Sequence, residues 1–183
     1  MSTTILRDCS KNIPHFVADS SVSPTGLKWA APAASGTTFA GCYVYNSTNP
    51  SISNNSYTLV NFDLELYDTD AYHSNVTNNS RITIPSGKAG YYLIIGKVGF
   101  DNATNTTGGR VANLTINGSG ISYDFSAPAS GSAGDVQTAF QTVVRYLAVG
   151  DYVQLNCYQN SGGTRTLNQN VDNTYLSVAY LGA

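Results

Sequence analysis

Residues 81–95 read Arg-Ile-Thr-Ile-Pro-Ser-Gly-Lys-Ala-Gly-Tyr-Tyr-Leu-Ile-Ile, and this stretch decides the fold class. Ile82 and Ile84 alternate with polar neighbours, which predicts a short strand with one buried face. Pro85 then removes a backbone donor, and the glycines that follow allow the chain to reverse. Residues 91–95 are apolar on both faces, which is typical of a central strand in a sandwich. The stretch therefore predicts a strand, a turn and a second strand.

The composition of the whole chain favours an all-β protein. Charged residues make up 11% of the 183 residues, and Glu65 is the sole glutamate. Strong formers of surface helices are therefore scarce, whereas Thr, Tyr, Val, Asn, Ser and Gly are plentiful. A net charge of −2 provides no basic field for nucleic acid or for an anionic membrane. We therefore expect neither a nucleic-acid partner nor a membrane-surface role.

Cysteine usage and hydropathy exclude several further classes. Cys9, Cys42 and Cys157 are odd in number, far apart and without metal-binding spacing, so we expect free and mostly buried thiols. No apolar run is long enough to cross a bilayer, and the N-terminal residues lack the apolar core of a signal peptide. The sequence thus predicts a protein that is not inserted into a membrane.

Residues 1–39 differ from the rest of the chain and are predicted to form an extended N-terminal arm. They contain three of the six prolines and show no sustained apolar period. Leu27 and Trp29 stand out within this arm. Either they pack locally and fix the arm, or the arm docks on another protein through them, since an isolated tryptophan is a good anchor.

In residues 40–183 the apolar period changes to two, which predicts one β domain. Val60, Phe62, Leu64 and Leu66 alternate with polar residues, so we expect a single strand with one buried face.

Nine or ten short strands are expected in all. Residues 112–116 and 121–125 alternate around Asn117-Gly-Ser-Gly, which predicts a hairpin. Further strands are predicted at 42–46, 137–147, 153–157 and 175–181. Such a series of short strands with Gly, Asn and Ser turns favours an antiparallel Greek-key or jelly-roll sandwich.

Six motifs, in this order along residues 41–183, resemble the C1q/TNF-like jelly-roll superfamily. They are Val60-Asn-Phe-Asp, Arg81-Ile-Thr-Ile-Pro, Gly90-Tyr-Tyr-Leu-Ile, Leu114-Thr-Ile-Asn-Gly, Leu147-Ala-Val-Gly-Asp-Tyr-Val-Gln-Leu and Asn173-Thr-Tyr-Leu-Ser. The resemblance implies a ten-stranded antiparallel jelly-roll sandwich that assembles as a homotrimer. Large rings with a polar tip pack well in cores and interfaces. We expect five strand residues in the core or the trimer interface: Tyr91, Tyr92, Ile94, Tyr175 and Tyr180.

A second resemblance lies in the arm. The segment Asp19-Ser-Ser-Val-Ser-Pro-Thr-Gly-Leu-Lys-Trp-Ala-Ala-Pro is similar to segments that precede C1q-like tips in tail-fibre and other virion proteins of tailed bacteriophages. It implies a structural protein on the surface of a phage capsid or tail, made in the host cytoplasm. The expected role is a capsid decoration or cement protein, or a fibre knob. Its partner would be a capsid, tail or fibre protein that holds the arm.

The titratable residues do not form a catalytic pattern. His73 lies near Asp68 and Asp70 in a turn-rich loop without a nucleophile elbow, so we expect a solvent-exposed loop histidine. Asp63 and Glu65 share one face at strand spacing, but they are also the outward residues of an amphipathic strand. We therefore expect that the protein is not an enzyme.

One short motif raises the question of calcium. Asp68-Thr-Asp is similar to the start of a calcium loop, but Tyr72 and the missing glycine and distal glutamate break the pattern. A structural calcium ion bound by carbonyl groups of the loops stays an open alternative, and the sequence indicates no other cofactor.

Two alternative functions stay open. In the first, the domain is the tip of a tail fibre and recognises a host surface glycan or protein through the polar loops 101–109 and 160–173. The candidate ligand-facing residues are Asp101, Asn105, Arg110, Asn160, Arg165 and Asp172. In the second, which has the weakest support, the protein is an exopolysaccharide depolymerase that uses a carboxylate pair.

Overall fold

The computed structural model describes residues 38–101, 107–121 and 136–183, together with the backbone of three short strands at 16–18, 27–29 and 125–128. All regular structure in these residues is β-strand, and they contain no helix long and apolar enough to cross a membrane. The strands are β1 (Phe16–Ala18), β2 (Leu27–Trp29), β3 (Gly41–Tyr45), β4 (Ser51–Ile52), β5 (Thr58–Leu59), β6 (Leu64–Asp68), β7 (Arg81–Thr83), β8 (Gly90–Phe100), β9 (Gly109–Ile116), β10 (Ser119–Gly120), β11 (Phe125–Pro128), β12 (Gln137–Leu147), β13 (Tyr152–Gln159), β14 (Arg165–Thr166) and β15 (Tyr175–Gly182).

The chain divides into two compact units, residues 1–38 and residues 39–183. In the first unit, β1 and β2 pair antiparallel, with Phe16 opposite Trp29. The sequence does not predict these two strands, because three residues are too few to show a period of two.

The second unit is an antiparallel β-sandwich. One sheet has five strands in the order β12-β8-β15-β3-β6. The other has the order β10-β9-β13-β5, with β11 also paired to β9 and β7 also paired to β13, and a small additional sheet joins β14 to β4. The strand order shows that neighbours in the sheets are rarely neighbours in sequence, as expected of a jelly roll.

The core lies between the two main sheets. Apolar side chains from both sheets meet there, including Phe62, Tyr92, Ile94, Leu114 and Leu155, all of which are fully buried. Alternation along each strand places one residue in two toward this core. The predicted strands 137–147, 153–157 and 175–181 are therefore confirmed as β12, β13 and β15.

The stretch 81–95 contains two strands, as predicted, but these belong to different sheets. Strand β7 pairs with β13 in the second sheet, whereas β8 lies between β12 and β15 in the five-stranded sheet. The turn between them thus carries the chain across the sandwich. Gly90 is required at the end of this turn, because a Cβ atom there would lie 2.4 Å from the carbonyl oxygen of Gly182.

A hairpin follows β9 as predicted, but its turn is shorter than the expected Asn117-Gly-Ser-Gly, and residues 122–124 of the expected second strand lie outside the described residues. Ser119 lies opposite Ile116, so Asn117 and Gly118 form a two-residue loop. Both have positive φ, 52° and 78°, which matches the turn type favoured by an Asn-Gly pair.

The prediction of one half-buried strand over residues 60–66 is wrong. Val60 donates its N–H to the carbonyl of Leu155 in the second sheet, 2.9 Å away, whereas Leu64 lies opposite Tyr45 in the five-stranded sheet. The segment therefore passes from one sheet to the other. Val60 and Phe62 are buried, but Leu64 and Leu66 are exposed by 37% and 60%.

Candidate functional site

The five-stranded sheet has a second face, turned away from the core, and we call it the outer face. Its residues follow from the register of the strands. One row across the sheet joins Leu64, Tyr45, Tyr175, Lys97 and Phe140; the next joins Tyr67, Tyr43, Ser177, Ile95 and Thr142; a third joins Gly41, Ala179, Leu93 and Val144; and a fourth joins Gly182, Tyr91 and Tyr146.

The outer face is apolar and aromatic. Phe140, Val144 and Tyr146 on β12 are exposed by 56%, 47% and 55%, and Tyr91 on β8 by 52%. Within the four rows described, Lys97 is the one charged side chain, and its Nζ donates to the carbonyl of Asp172 at 2.7 Å. Large exposed apolar patches are uncommon on monomers, so this face is the candidate interaction surface of the described residues.

Tyrosine rings pack against each other along the outer face. Tyr43 stacks on Tyr175 with ring centroids 4.6 Å apart, and Tyr43 also contacts Tyr67 at 5.9 Å. At the other end, Tyr91 and Tyr146 pack edge to face at 5.5 Å. These contacts hold the rings in fixed positions, so little side-chain freedom would be lost on binding.

The surroundings of Tyr43 and Tyr175 raise the pKa values of their phenols. Burial raises the pKa of Tyr43 above its ordinary value, and the neighbouring Tyr175 and Asp172 add to this rise. Burial also raises the pKa of Tyr175, again with Asp172 contributing. A neutral aromatic surface is easier to desolvate than a charged one.

The residues expected in the core or interface separate into two groups. Tyr91 and Tyr175 lie on the outer face. Tyr92 and Ile94 point to the core and are fully buried, and Tyr180 packs against Tyr92 with centroids 5.3 Å apart. The two groups alternate along β8 and β15, because successive residues of a strand point to opposite faces.

Most of the outer face was not identified from the sequence. Tyr43, Tyr45, Phe140, Val144 and Tyr146 are among its additional contributors. A partial signal was present, because Phe140, Val144 and Tyr146 lie at even spacing on one side of β12, although Thr142 interrupts them. The sequence could not assign that side to the surface rather than the core.

The expected anchor residues of the arm, Leu27 and Trp29, lie on β2. Their side chains fall outside the described residues, and the anchoring role stays a prediction.

Three of the expected ligand-facing residues lie in loops or at strand ends. Asp101 is half-buried and its Oδ1 accepts from Nδ2 of Asn168 at 2.8 Å. Asn160 is exposed, and its Oδ1 accepts from the N–H of Gly109. Asp172 is exposed. Asn105 lies outside the described residues.

The expectation for the other two residues needs correction. Arg110 is on β9 and only 1% exposed, and Arg165 is on β14 and 8% exposed. Arg165 donates from Nε to Oγ of Ser161 at 2.8 Å, and the Nη1 of Arg110 donates to the carbonyl of Gly109 at 3.1 Å. Burial lowers the pKa of Arg110, and the nearby Arg165 adds to that effect. These guanidinium groups are tied into the protein interior instead of facing a ligand.

The titratable groups around His73 have structural partners. The His73 side chain is buried, not solvent-exposed as expected, and its Nδ1 lies 2.9 Å from Oε1 of Glu65. Its Nε2 lies 3.1 Å from the carbonyl of Asn79. The carboxylate of Asp68 accepts from the N–H groups of Tyr72 and His73, both at 2.9 Å, and so shapes the loop after β6.

In the described part of the chain, no group of three or more His, Cys, Asp or Glu side chains is placed to hold a metal ion. Cys42 and Cys157 are free and buried, and burial raises the pKa of the Cys157 thiol to about 12. The expectation of buried free thiols is therefore confirmed for these two residues.

Comparisons with known proteins place the fold. No model of a known protein family matches the chain, and no curated protein matches it. Murine APRIL superposes with a TM-score of 0.55 and 15% identity, over 79% of this chain and 100% of that chain. The PRD1 vertex protein P5 superposes with a TM-score of 0.54 and 20% identity, over 78% and 96% of the two chains. For the globular domain of zebrafish complement 1qA the values are 0.54 and 13%, over 79% and 98%. At such identities the likeness shows the fold alone, and that fold is an antiparallel jelly roll of the C1q/TNF-like type.

Proposed function

We propose that the protein is a non-enzymatic structural component of a bacteriophage particle that assembles as a homotrimer through the outer face. In this proposal it acts as a capsid decoration or cement protein, or as a fibre knob, on the surface of the virion. Its N-terminal arm attaches it to a capsid, tail or fibre protein through Leu27 and Trp29.

The single observation that carries the trimer is the apolar outer face. Phe140, Val144, Tyr146 and Tyr91 are each about half exposed in one chain. Covering a half-exposed side chain of this size contributes about 1 kcal/mol, so four of them supply several kcal/mol per protomer. In a closed ring of three copies, each outer face packs against the neighbouring protomers, so assembly removes part of this apolar surface from water in every copy.

Two observations support a place on a phage particle. The PRD1 vertex protein P5 shares the fold over nearly the whole of its own length. The Thr-Gly-Leu-Lys-Trp-Ala segment of the arm is similar to segments found before C1q-like tips in phage virion proteins. The two observations lie in different parts of the chain and support the same assignment.

Introducing a charge on the apolar outer face tests the trimer. Sedimentation of the full chain is expected to show a trimer at micromolar concentration. Val144→Asp would place a carboxylate in the interface and weaken association about 100-fold or more, which corresponds to ~2.7 kcal/mol. The matched control is Val76→Asp, since Val76 is 92% exposed in a loop away from that face. A monomeric full chain, or a Val144→Asp protein that associates as well as Val76→Asp, would contradict the proposal.

Recognition of a host surface glycan or protein at a fibre tip is the alternative function. It places the protein at the distal end of a tail fibre, whereas a cement protein lies over the capsid lattice. Immunogold electron microscopy of purified particles distinguishes the two, because label over the head in many copies excludes the fibre-tip role.

A further inference from the structure

A groove runs along one side of the sandwich, between the segment that joins β3 to β4 and the segment that contains β5. Its volume is about 330 Å³, which is at the lower end of the range for small-molecule sites. Among the described residues, those that line the groove are not on the outer face, and Leu167 is the one that belongs to the loop 160–173.

The floor of the groove is apolar and firm. Ile52, Val60 and Leu167 line it and are all buried in the core cluster. Pro50 and Leu59 extend the apolar lining toward the rim. Because these side chains pack against the core, the groove keeps its shape without a ligand.

The walls are polar but almost uncharged. Thr48, Thr58, Asn61 and Asn79 contribute hydroxyl and amide groups, and Asp63 is the one charged side chain among the described residues that line the groove. Ser47 fixes the Asp63 carboxylate by donating its N–H to Oδ1 at 2.7 Å and its hydroxyl to Oδ2. The carboxylate oxygens keep free lone pairs for further donors.

Asn46 provides an independent indication of a ligand. Its side chain is only 6% exposed and lines the groove. Its Nδ2 donates to the carbonyl of Asn61, whereas its buried Oδ1 has no hydrogen-bond donor among the described residues. Buried acceptors are nearly always satisfied, so this oxygen is available to a donor from outside the chain, such as a hydroxyl of a bound molecule or a water.

From these features we infer that the groove binds a neutral sugar ring. A pyranose combines C–H faces, which suit the apolar floor, with hydroxyl groups, which can donate to Asp63 and Asn46 and accept from the amides. The described residues of the lining include no cation to balance an anionic ligand, and the Asp63 carboxylate disfavours one. The inference does not rest on the trimer proposed above, because the groove lies within one chain.

Saturation-transfer difference NMR on the full chain tests this inference. The probes are D-glucose, D-galactose, D-mannose and N-acetyl-D-glucosamine, with N-acetylneuraminic acid as the anionic comparison. At least one neutral sugar is expected to bind in the millimolar range, and more strongly than the anionic sugar. Thr48→Arg fills the mouth of the groove and is expected to weaken binding at least about tenfold. The control is Thr164→Arg, the same substitution at an exposed position in the loop 160–173.

Each other result overturns the inference. If no neutral sugar receives saturation transfer, the groove is not a sugar site. If the transfer is unchanged in Thr48→Arg, the sugar binds elsewhere on the protein. Loss of binding in Thr164→Arg alone moves it to the loop expected from the sequence, and preference for N-acetylneuraminic acid refutes the neutral class. Sedimentation of the same samples reports the trimer separately, so failure of one proposal is distinguishable from failure of the other.

Discussion

At the scale of single residues, the buried tyrosine pair Tyr72 and Tyr92 illustrates how the core accepts polar atoms. The Tyr92 hydroxyl donates to the carbonyl of Lys88 at 2.6 Å and lies 3.2 Å from the Tyr72 hydroxyl. Tyr92→Phe leaves both partners short of a bond and is expected to lower the free energy of unfolding by about 1–2 kcal/mol. Urea unfolding at a fixed protomer concentration measures this change in the free energy of unfolding. Tyr57→Phe, at a half-exposed tyrosine that does not belong to the outer face, is the control and should change the free energy of unfolding by less than ~0.5 kcal/mol. Equal losses would contradict the role of the Tyr92 hydroxyl.

The buried thiol of Cys157 predicts a dependence of stability on alkaline pH. Burial raises its pKa from 9.0 to about 12, so the folded protein keeps a proton that the unfolded chain loses. This stabilisation is complete below about pH 9 and is lost as the pH rises toward 12, by up to ~1.4 kcal/mol per pH unit. Urea unfolding between about pH 8 and pH 10.5 measures the slope. Serine does not ionise in this range, so Cys157→Ser should reduce the slope of the free energy of unfolding against pH. An unchanged slope would show that other groups cause the pH dependence.

At the scale of elements, the loop between β9 and β10 tests the importance of turn chemistry. Gly118 has a φ of 78°, and a Cβ atom there would meet nothing closer than the Tyr152 hydroxyl at 3.7 Å. The cost of Gly118→Ala is therefore a backbone cost, and we expect a loss of about 1–2 kcal/mol in the free energy of unfolding. Gly163→Ala is the matched control, since Gly163 has no such φ and has open space around it. Thermal unfolding compares the two, and equal melting temperatures would contradict the expectation.

Elements also show where prediction from the sequence succeeds. Strand β13 follows from alternation, because it keeps one face on the core for its whole length. Residues 60–66 alternate equally well, yet the chain changes sheets within them, so Leu64 and Leu66 become surface residues. Alternation in sequence indicates that the two faces of a strand lie in different surroundings. It does not indicate that the chain has crossed from one sheet to the other.

At the scale of the whole molecule, the arm is predicted to be the attachment device. Residues 39–183 form a compact unit distinct from residues 1–38. Deletion of residues 1–35 is therefore expected to leave the trimer folded but to abolish incorporation into particles. Gel quantification of purified particles, assembled with full-length or truncated protein, measures incorporation.

A single substitution in the arm tests whether Trp29 is the anchor. Trp29→Ala in the full chain should reduce incorporation strongly if the ring is the anchor, because truncation of a central aromatic contact commonly costs 2 kcal/mol or more. Normal incorporation of the truncated protein would show that attachment occurs through residues 39–183. In that case the proposed trimer would be unaffected, since its proposed interface lies on the five-stranded sheet.

The sequence by itself determined the fold class, because low charge, β-forming residues and a period of two leave few alternatives to an antiparallel sandwich. The order of six short motifs made that sandwich a jelly roll. Only the tertiary structure decided which apolar residues are free to bind. In β8, Tyr91 and Tyr92 are adjacent and chemically identical, yet one lies on the outer face and the other in the core. A strand that is apolar on both faces carries no local mark of which face meets the other sheet, since that depends on packing with strands distant in sequence. The groove beside Asn46 has the same origin, because its walls and floor come from segments that only the fold brings together.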